Sequence, residues 1–73
     1  MAIIDKSCVN AIEFAKTLNS DIKIENGINW IWAYGFKSRE DAKKFDDYCN
    51  NNNCETRGVY SGSLKGTYDV RFR

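Results

Sequence analysis

One stretch of this chain, residues 28 to 36, concentrates more aromatic and branched apolar surface than any other, and the fold has to place that surface. Its side chains fall into two alternating sets, Ile28, Trp30, Trp32, Tyr34 and Phe36 in one and Asn29, Ile31, Ala33 and Gly35 in the other. A period of two predicts a β-strand with two different faces. The face that meets the core therefore decides which surface is left open.

The composition limits the size of the fold and the kind of partner. The chain has 73 residues, 42% of them hydrophobic and 14% aromatic, which is enough for one sheet covered by two helices. We therefore expect a single domain over residues 1–73. The formal net charge of +1 argues against a general binder of polyanions.

The sequence also favours one compartment. It opens with no basic segment followed by an apolar one, and it has no apolar run long enough to span a bilayer. Cys8, Cys49 and Cys54 are too few for a secreted disulfide scaffold. We expect a cytoplasmic protein that does not enter the membrane.

A helix is predicted near the start. Asp5 is a good N-cap, and Ile4 is spaced to contact Val9 across the first turn. A short strand over residues 2–4 is the competing interpretation. The apolar residues recur at helical spacing: Cys8, Ala11, Ile12, Ala15 and Leu18.

A hairpin follows this helix. Ile22 and Ile24 alternate with polar residues, and Asn26-Gly27 is a strong turn signal before the aromatic stretch. A two-residue loop pairs Glu25 with Ile28 and puts the isoleucines opposite the tryptophans. A three-residue loop pairs Ile24 with Ile28 and puts the isoleucines beside the tryptophans.

We prefer the second register because it gathers the large apolar side chains under the helices. In that register the tryptophans belong to the core, and Ile31 and Ala33 lie on the open face of the sheet.

The second half of the chain repeats the helix and hairpin order. Ser38 is the predicted N-cap of a second helix, with Asp41 at the capping-box position. Its apolar stripe is Ala42, Phe45 and Cys49. Residues 50–53 end this helix, and residues 54–61 and 67–73 are predicted strands.

The order α-β-β-α-β-β predicts an α+β two-layer sandwich. We expect a four-stranded antiparallel sheet with two helices on one face and strands 28–36 and 67–73 at its centre. This is a permuted ferredoxin-like arrangement.

Catalysis, cofactors and metals are not expected. The chain has no histidine, the commonest base at neutral pH. Three cysteines fall short of the four ligands of a structural zinc site, so Cys8 and Cys49 are predicted to be small core residues. Lys65 precedes Gly66 and a strand follows, which is the wrong order for a phosphate-binding loop.

The function that these observations favour is a small protein-interaction module without enzyme activity. From the general run of short stand-alone chains, and not from particular residues, we expect it to be of the kind that a phage or mobile element encodes to bind and inhibit a host protein. The open sheet face would present an apolar centre with a charged rim. A homodimer is a further expectation, since it would cover apolar surface that so small a domain leaves exposed. The predicted binding residues are Ile31, Ala33, Val59, Arg57, Lys65, Arg71 and Arg73.

The alternative is a nucleic-acid-binding module that uses the basic side chains of the same face. A sheet of this type binds single strands when aromatic rings lie on its open face for bases to stack on. In the preferred register that face has no such rings, so the register separates the two hypotheses.

Overall fold

The computed structural model describes residues 6–62 and 66–73. Two helices and four strands follow in the predicted order: α1 (Lys6–Leu18), β1 (Lys23–Asn26), β2 (Ile31–Phe36), α2 (Arg39–Asn51), β3 (Thr56–Ser61) and β4 (Tyr68–Phe72). The predicted N-cap Asp5, the contact of Ile4 with Val9 and the alternative strand at residues 2–4 involve positions outside the described residues.

The strands form one antiparallel sheet in the order β1-β2-β4-β3. Both helices pack on one face of it around a single hydrophobic core. The predicted α+β class, the sheet and the central position of β2 and β4 are all confirmed.

Helix α2 begins and ends as its sequence predicts. The Ser38 Oγ accepts a hydrogen bond of 3.1 Å from the Asp41 backbone N–H, which satisfies one of the free donors of the first turn. After the helix, Asn53 takes a left-handed conformation with φ 65°, which asparagine tolerates better than most residues. The buried stripe of α2 contains Ala42, Phe45 and Cys49, as predicted.

The predicted register of the first hairpin is wrong. Asn26 pairs with Ile31, and the Gly27 N–H donates to the Trp30 carbonyl at 2.8 Å, so four residues form the loop instead of two or three. Ile31 and Ala33 are fully buried, with 0% of their surface exposed. The helices therefore cover the Ile31 and Ala33 face, and the tryptophans lie on the open face.

Packing of three phenylalanine rings gives a physical reason for this arrangement. Phe45 on α2 lies 5.3 Å from Phe36 and 5.1 Å from Phe72 between ring centroids. These rings pack between α2 and the sheet, and the small Ala33 is fully buried in the same core. Two tryptophans would overfill a core of this size, whereas at the surface the polar N–H of each indole ring can stay in contact with water.

A bulge at Gly35 explains why Phe36 joins the core although it belongs to the tryptophan set in the sequence. Between the pairs Ala33–Val70 and Phe36–Tyr68, two residues of β2 lie opposite one residue of β4. Gly35 has φ 93° there, a conformation that favours glycine. The extra residue moves Phe36 to the same side as Ile31.

Two further predicted placements also change. Ile28 is in the loop before β2 and is 82% exposed, so the strand is shorter than predicted. Val59 pairs with Val70 and packs against the core from the helix side. Neither α1 nor α2, the helices of the described residues, is long and apolar enough to cross a bilayer.

Candidate functional site

The predicted binding residues separate into three groups. Arg57, Arg71 and Arg73 come together on the open face, where they lie over aromatic rings. The predicted members Ile31, Ala33 and Val59 are wrong as open-face residues, because they face the helices. Lys65 lies outside the described residues.

Two glycine bulges give the open face its pattern of charges. Tyr34 and Gly35 of β2 lie opposite Asp69 of β4, and Arg57 and Gly58 of β3 lie opposite Arg71. Gly58 has φ 87°, the same type of conformation as Gly35. A bulge increases the local twist and redirects neighbouring side chains. The two charged residues of β4 on this face therefore each lie beside a bulge of a neighbouring strand.

Arginines surround Trp30 at one end of the open face. The guanidinium carbons of Arg73, Arg71 and Arg57 lie 4.2, 4.9 and 5.7 Å from the centroid of the Trp30 ring. A guanidinium within about 6 Å of an indole centroid is attracted by the electron-rich face of the ring. We call this group, with Trp32 and Tyr60, the arginine–aromatic cluster.

Glu55 holds two of these arginines in place. The Nε of Arg73 donates to Glu55 Oε1 at 3.1 Å, and an Arg57 terminal nitrogen lies 3.6 Å from Glu55 Oε2. Backbone hydrogen bonds between Glu55 and Arg73 in both directions extend the pairing beyond β3 and β4. The outer guanidinium groups are thus oriented before any partner arrives.

Arg71 occupies the centre of the arginine–aromatic cluster. Its guanidinium carbon is also 5.8 Å from the Trp32 ring and 5.4 Å from the Tyr60 ring. Its Nε is buried without a hydrogen-bond partner among the described residues. Arg71 is therefore packed against three aromatic rings at the centre of the cluster.

The aromatic side chains of the open face form a continuous row. The Trp32 ring stacks on Tyr34 with centroids 5.6 Å apart and an angle of 4° between the planes, and it lies 5.8 Å from Tyr60. Tyr60 is among the large hydrophobic residues that the described part of the chain leaves exposed. Rigid rings of this kind offer contact area at small cost in conformational entropy.

A groove of about 720 Å³ lies at the other end of the same face. Tyr34 and Asp69 line it, and Glu25 and Lys23 line it from β1. Asp69 is only 7% exposed, and its Oδ1 accepts a hydrogen bond of 3.1 Å from the Gly35 N–H. Asp69 lies on the side of β4 away from the core, but it is buried in the groove instead of being surrounded by solvent.

The groove changes the acidity of one of its own residues. Partial burial raises the pKa of the Tyr34 phenol above its ordinary value of 10.0, and the negative charges of Glu25 and Asp69 raise it further. The phenol therefore stays neutral throughout the physiological range.

The two ends of the open face differ in charge. The arginine–aromatic cluster with Glu55 contains three basic groups and one acidic group. Among the described residues, the groove reverses that balance with three acidic groups and two basic groups, namely Asp21, Glu25, Asp69, Lys23 and Lys37. The open face is therefore electrically divided, with a positive end and a negative end.

The cysteines lie in the core, away from the open face. Cys8, Cys49 and Cys54 are all buried, and none of them forms a disulfide. Burial, more than the nearby Cys54, strongly raises the pKa of the Cys49 thiol, which makes it a poor nucleophile. No three possible metal-ligating side chains come together in the part of the chain that the structure describes.

Sequence analysis missed the aromatic half of this site. Trp30, Trp32, Tyr34 and Tyr60 were assigned to the core or left unassigned, and the open face was predicted without rings. One signal for these rings was available in the sequence. Arg71 and Arg73 alternate with apolar residues along β4, so both lie on the open face, next to the side chains that β2 places on that face. The hairpin register that was not preferred places Trp30 and Trp32 on that face, beside the two arginines.

Comparisons of this chain with protein-family models, with curated proteins and with solved structures find no match.

Proposed function

We propose that this chain is a protein-interaction module without enzyme activity, and that the open sheet face binds its protein partner. The observation that carries the proposal is the packing of Arg71 among Trp30, Trp32 and Tyr60. Tryptophan, tyrosine and arginine are the residue types that dominate the binding energy of protein interfaces. In this cluster they are adjacent and held in place by neighbouring groups.

The divided charge supports a protein partner over a polyanion. A nucleic acid backbone is negative along its whole length and would be repelled at the groove, where acidic groups outnumber basic ones. A protein surface can present an acidic group to the arginine–aromatic cluster and a basic group to the groove.

In this proposal the module acts by occupying a surface of its partner. That mode of action suits an inhibitor of the kind that phages and mobile elements encode against host proteins. We place it in the cytoplasm, where a reducing environment keeps its three cysteines out of disulfides.

Single-stranded nucleic acid is the second candidate, because the corrected register puts aromatic rings on the open face, the condition that this alternative requires for bases to stack. Against it, guanidinium groups of the protein itself already lie over Trp30 and Trp32. A base would have to displace them or stack outside them.

An affinity-capture experiment with matched variants tests the proposal. The immobilised protein, Arg71→Ala and Arg39→Ala are each exposed to nuclease-treated extract of the source cells, and the bound proteins are identified. Arg39 is an exposed arginine on α2 and so controls for loss of charge away from the open face. We expect one protein to be retained by the wild type and by Arg39→Ala and lost with Arg71→Ala. Equal retention by Arg71→Ala would contradict the proposal.

The nucleic-acid alternative is tested on the same variants by titration with single-stranded oligonucleotides at about 0.15 M salt. We expect no saturable quenching of tryptophan fluorescence. Saturable binding that weakens with salt and disappears in Arg71→Ala would favour the alternative.

Self-association through the open face is a third outcome, which sedimentation equilibrium detects. A wild-type dimer that Arg71→Ala converts to a monomer would identify a second copy of the chain as the partner.

A further inference from the structure

The groove beside Tyr34 contains a buried carboxylate for which residues 6–62 and 66–73 supply no counter-ion. Asp69 is 7% exposed, and among the described residues no lysine or arginine nitrogen lies within ion-pair distance of it. Its Oδ1 accepts one hydrogen bond from the Gly35 N–H. A carboxylate this buried is normally paired with a cation, because removing its charge from water is costly.

The basic groups that the structure describes near the groove do not form an ion pair with Asp69. Lys37 is paired with Asp21 at 3.3 Å, and Lys23 is an exposed residue of the edge strand β1 without an ion pair among the described residues. Glu25, also on β1, adds a second negative charge to the groove. The groove thus keeps an excess of negative charge.

The Tyr34 ring gives this groove an aromatic wall. At the other end of the face, guanidinium groups of the protein lie over Trp30, Trp32 and Tyr60, but in the described part of the chain none lies over Tyr34. A planar guanidinium stacks well on such a ring and bonds to carboxylates through its edge.

We propose that the groove binds the side chain of an arginine of the partner, with its guanidinium against Tyr34 and its charge neutralised by Asp69 and Glu25. This inference rests on the proposed function, since it names one group of the protein that the open face binds. The arrangement repeats the stacking of Arg71 on Trp30, except that the partner supplies the arginine.

Nuclear magnetic resonance of the isotopically labelled protein tests this site without knowledge of the partner. The probe is Nα-acetyl-arginine amide, and Nα-acetyl-glutamine amide is the neutral control. We expect saturable shifts of the Tyr34 and Gly35 amide signals with a dissociation constant of about 1 mM or above. The Gly35 amide is a direct reporter because it donates to Asp69.

Two variants and one control make the result specific. Asp69→Asn removes the negative charge but keeps an oxygen that can accept the hydrogen bond from the Gly35 N–H. Glu25→Gln removes the second negative charge of the groove, and it lies on β1, which does not form the bulge. We expect at least a fivefold weaker affinity in Asp69→Asn, a smaller loss in Glu25→Gln, and none in Glu13→Gln, which changes an exposed residue of α1.

Absence of saturable shifts in the wild type, or unchanged binding in both groove variants, would overturn the groove proposal. Because the probe experiment does not use the partner, the two proposals fail separately. Arginine amide binding without Arg71-dependent capture would contradict only the protein-binding function. Arg71-dependent capture without arginine amide binding would contradict only the groove site.

Discussion

Arg71 and Trp30 contact each other on the open face, with the guanidinium carbon 4.9 Å from the centroid of the indole ring. Arg71 belongs to β4, and Trp30 ends the loop that precedes β2. The contact therefore fixes that loop against the centre of the sheet and also forms the centre of the arginine–aromatic cluster. Its removal should affect both stability and binding.

Arg71→Ala is expected to lower the free energy of unfolding by about 1 kcal/mol, because cation–π contacts at partly exposed sites have roughly this strength. Arg71→Lys keeps the charge but loses the planar stacking and should show part of the loss. Urea unfolding followed by tryptophan fluorescence measures both. Arg39→Ala is the control and should stay within about 0.5 kcal/mol of the wild type. Equal stability of Arg71→Ala and the wild type would show that the stacking contributes nothing.

Substitution of Ile31 tests the hairpin register. Because Ile31 is fully buried, Ile31→Ala should cost about 2–5 kcal/mol through lost burial and a cavity. Ile28→Ala should cost far less, since Ile28 is 82% exposed. Urea unfolding gives the loss in the free energy of unfolding for the same isoleucine-to-alanine change at positions 31 and 28. A neutral Ile31→Ala would instead support the register in which the tryptophans are buried.

Gly35→Ala should destabilise the fold through the backbone alone. A β-carbon at Gly35 would meet no atom within 4 Å, but the residue has φ 93°. Left-handed conformations cost a residue with a β-carbon about 1–2 kcal/mol, and we expect a loss of this size in thermal or urea unfolding. Gly35→Asn should cost less because asparagine tolerates such conformations better. Equal losses for alanine and asparagine would argue against backbone strain as the cause.

The pH dependence of stability should carry a contribution from Tyr34. Its pKa is raised in the folded state, by partial burial first and then by Glu25 and Asp69. Above the ordinary pKa of 10.0 the unfolded chain loses this proton while the folded protein keeps it. This contribution is therefore complete below that pH and is lost as the pH rises through the folded pKa.

Urea unfolding between about pH 9 and pH 11 measures this effect. The stability of Tyr34→Phe should fall less over this range than that of the wild type. Ultraviolet titration of Glu25→Gln should show Tyr34 ionising at lower pH than in the wild type. Identical pH profiles for Tyr34→Phe and the wild type would contradict the raised pKa.

The sequence predicts the elements of this fold well because their signals are local. Ser38 and Asp41 form a cap within one turn, and Asn53 follows the end of α2 in the left-handed conformation that asparagine tolerates. The order of elements then leaves few ways to arrange four strands, and the central pairing of β2 with β4 follows from it.

The register of β2 depends on contacts that are distant in sequence. One residue more or less in the loop after Asn26 exchanges the two faces of the strand, and the chain uses four residues where two or three were weighed. The bulge at Gly35 then breaks the alternation and brings Phe36 to the side of Ile31. Only packing against Phe45 and Phe72 decides between these arrangements.

The candidate site was predictable only in part, because its aromatic half depends on the register of β2. Arg57, Arg71 and Arg73 were placed on the open face from their alternation along β3 and β4. The rings beside them could not be placed without the register, so the site was predicted with Ile31 and Ala33 at its centre. Correcting the register replaces those residues with Trp30 and Trp32.

The most direct test of the protein-binding function is photo-crosslinking from the open face. A photoreactive phenylalanine analogue replaces Tyr60, which is exposed and contacts Arg71, and Tyr48 on α2 is replaced in a control. In nuclease-treated extract of the source cells we predict one discrete protein adduct from position 60 that disappears when Arg71→Ala is added, and no such adduct from position 48. An adduct that forms equally from both positions, or that persists without Arg71, would contradict the assignment of function to this face.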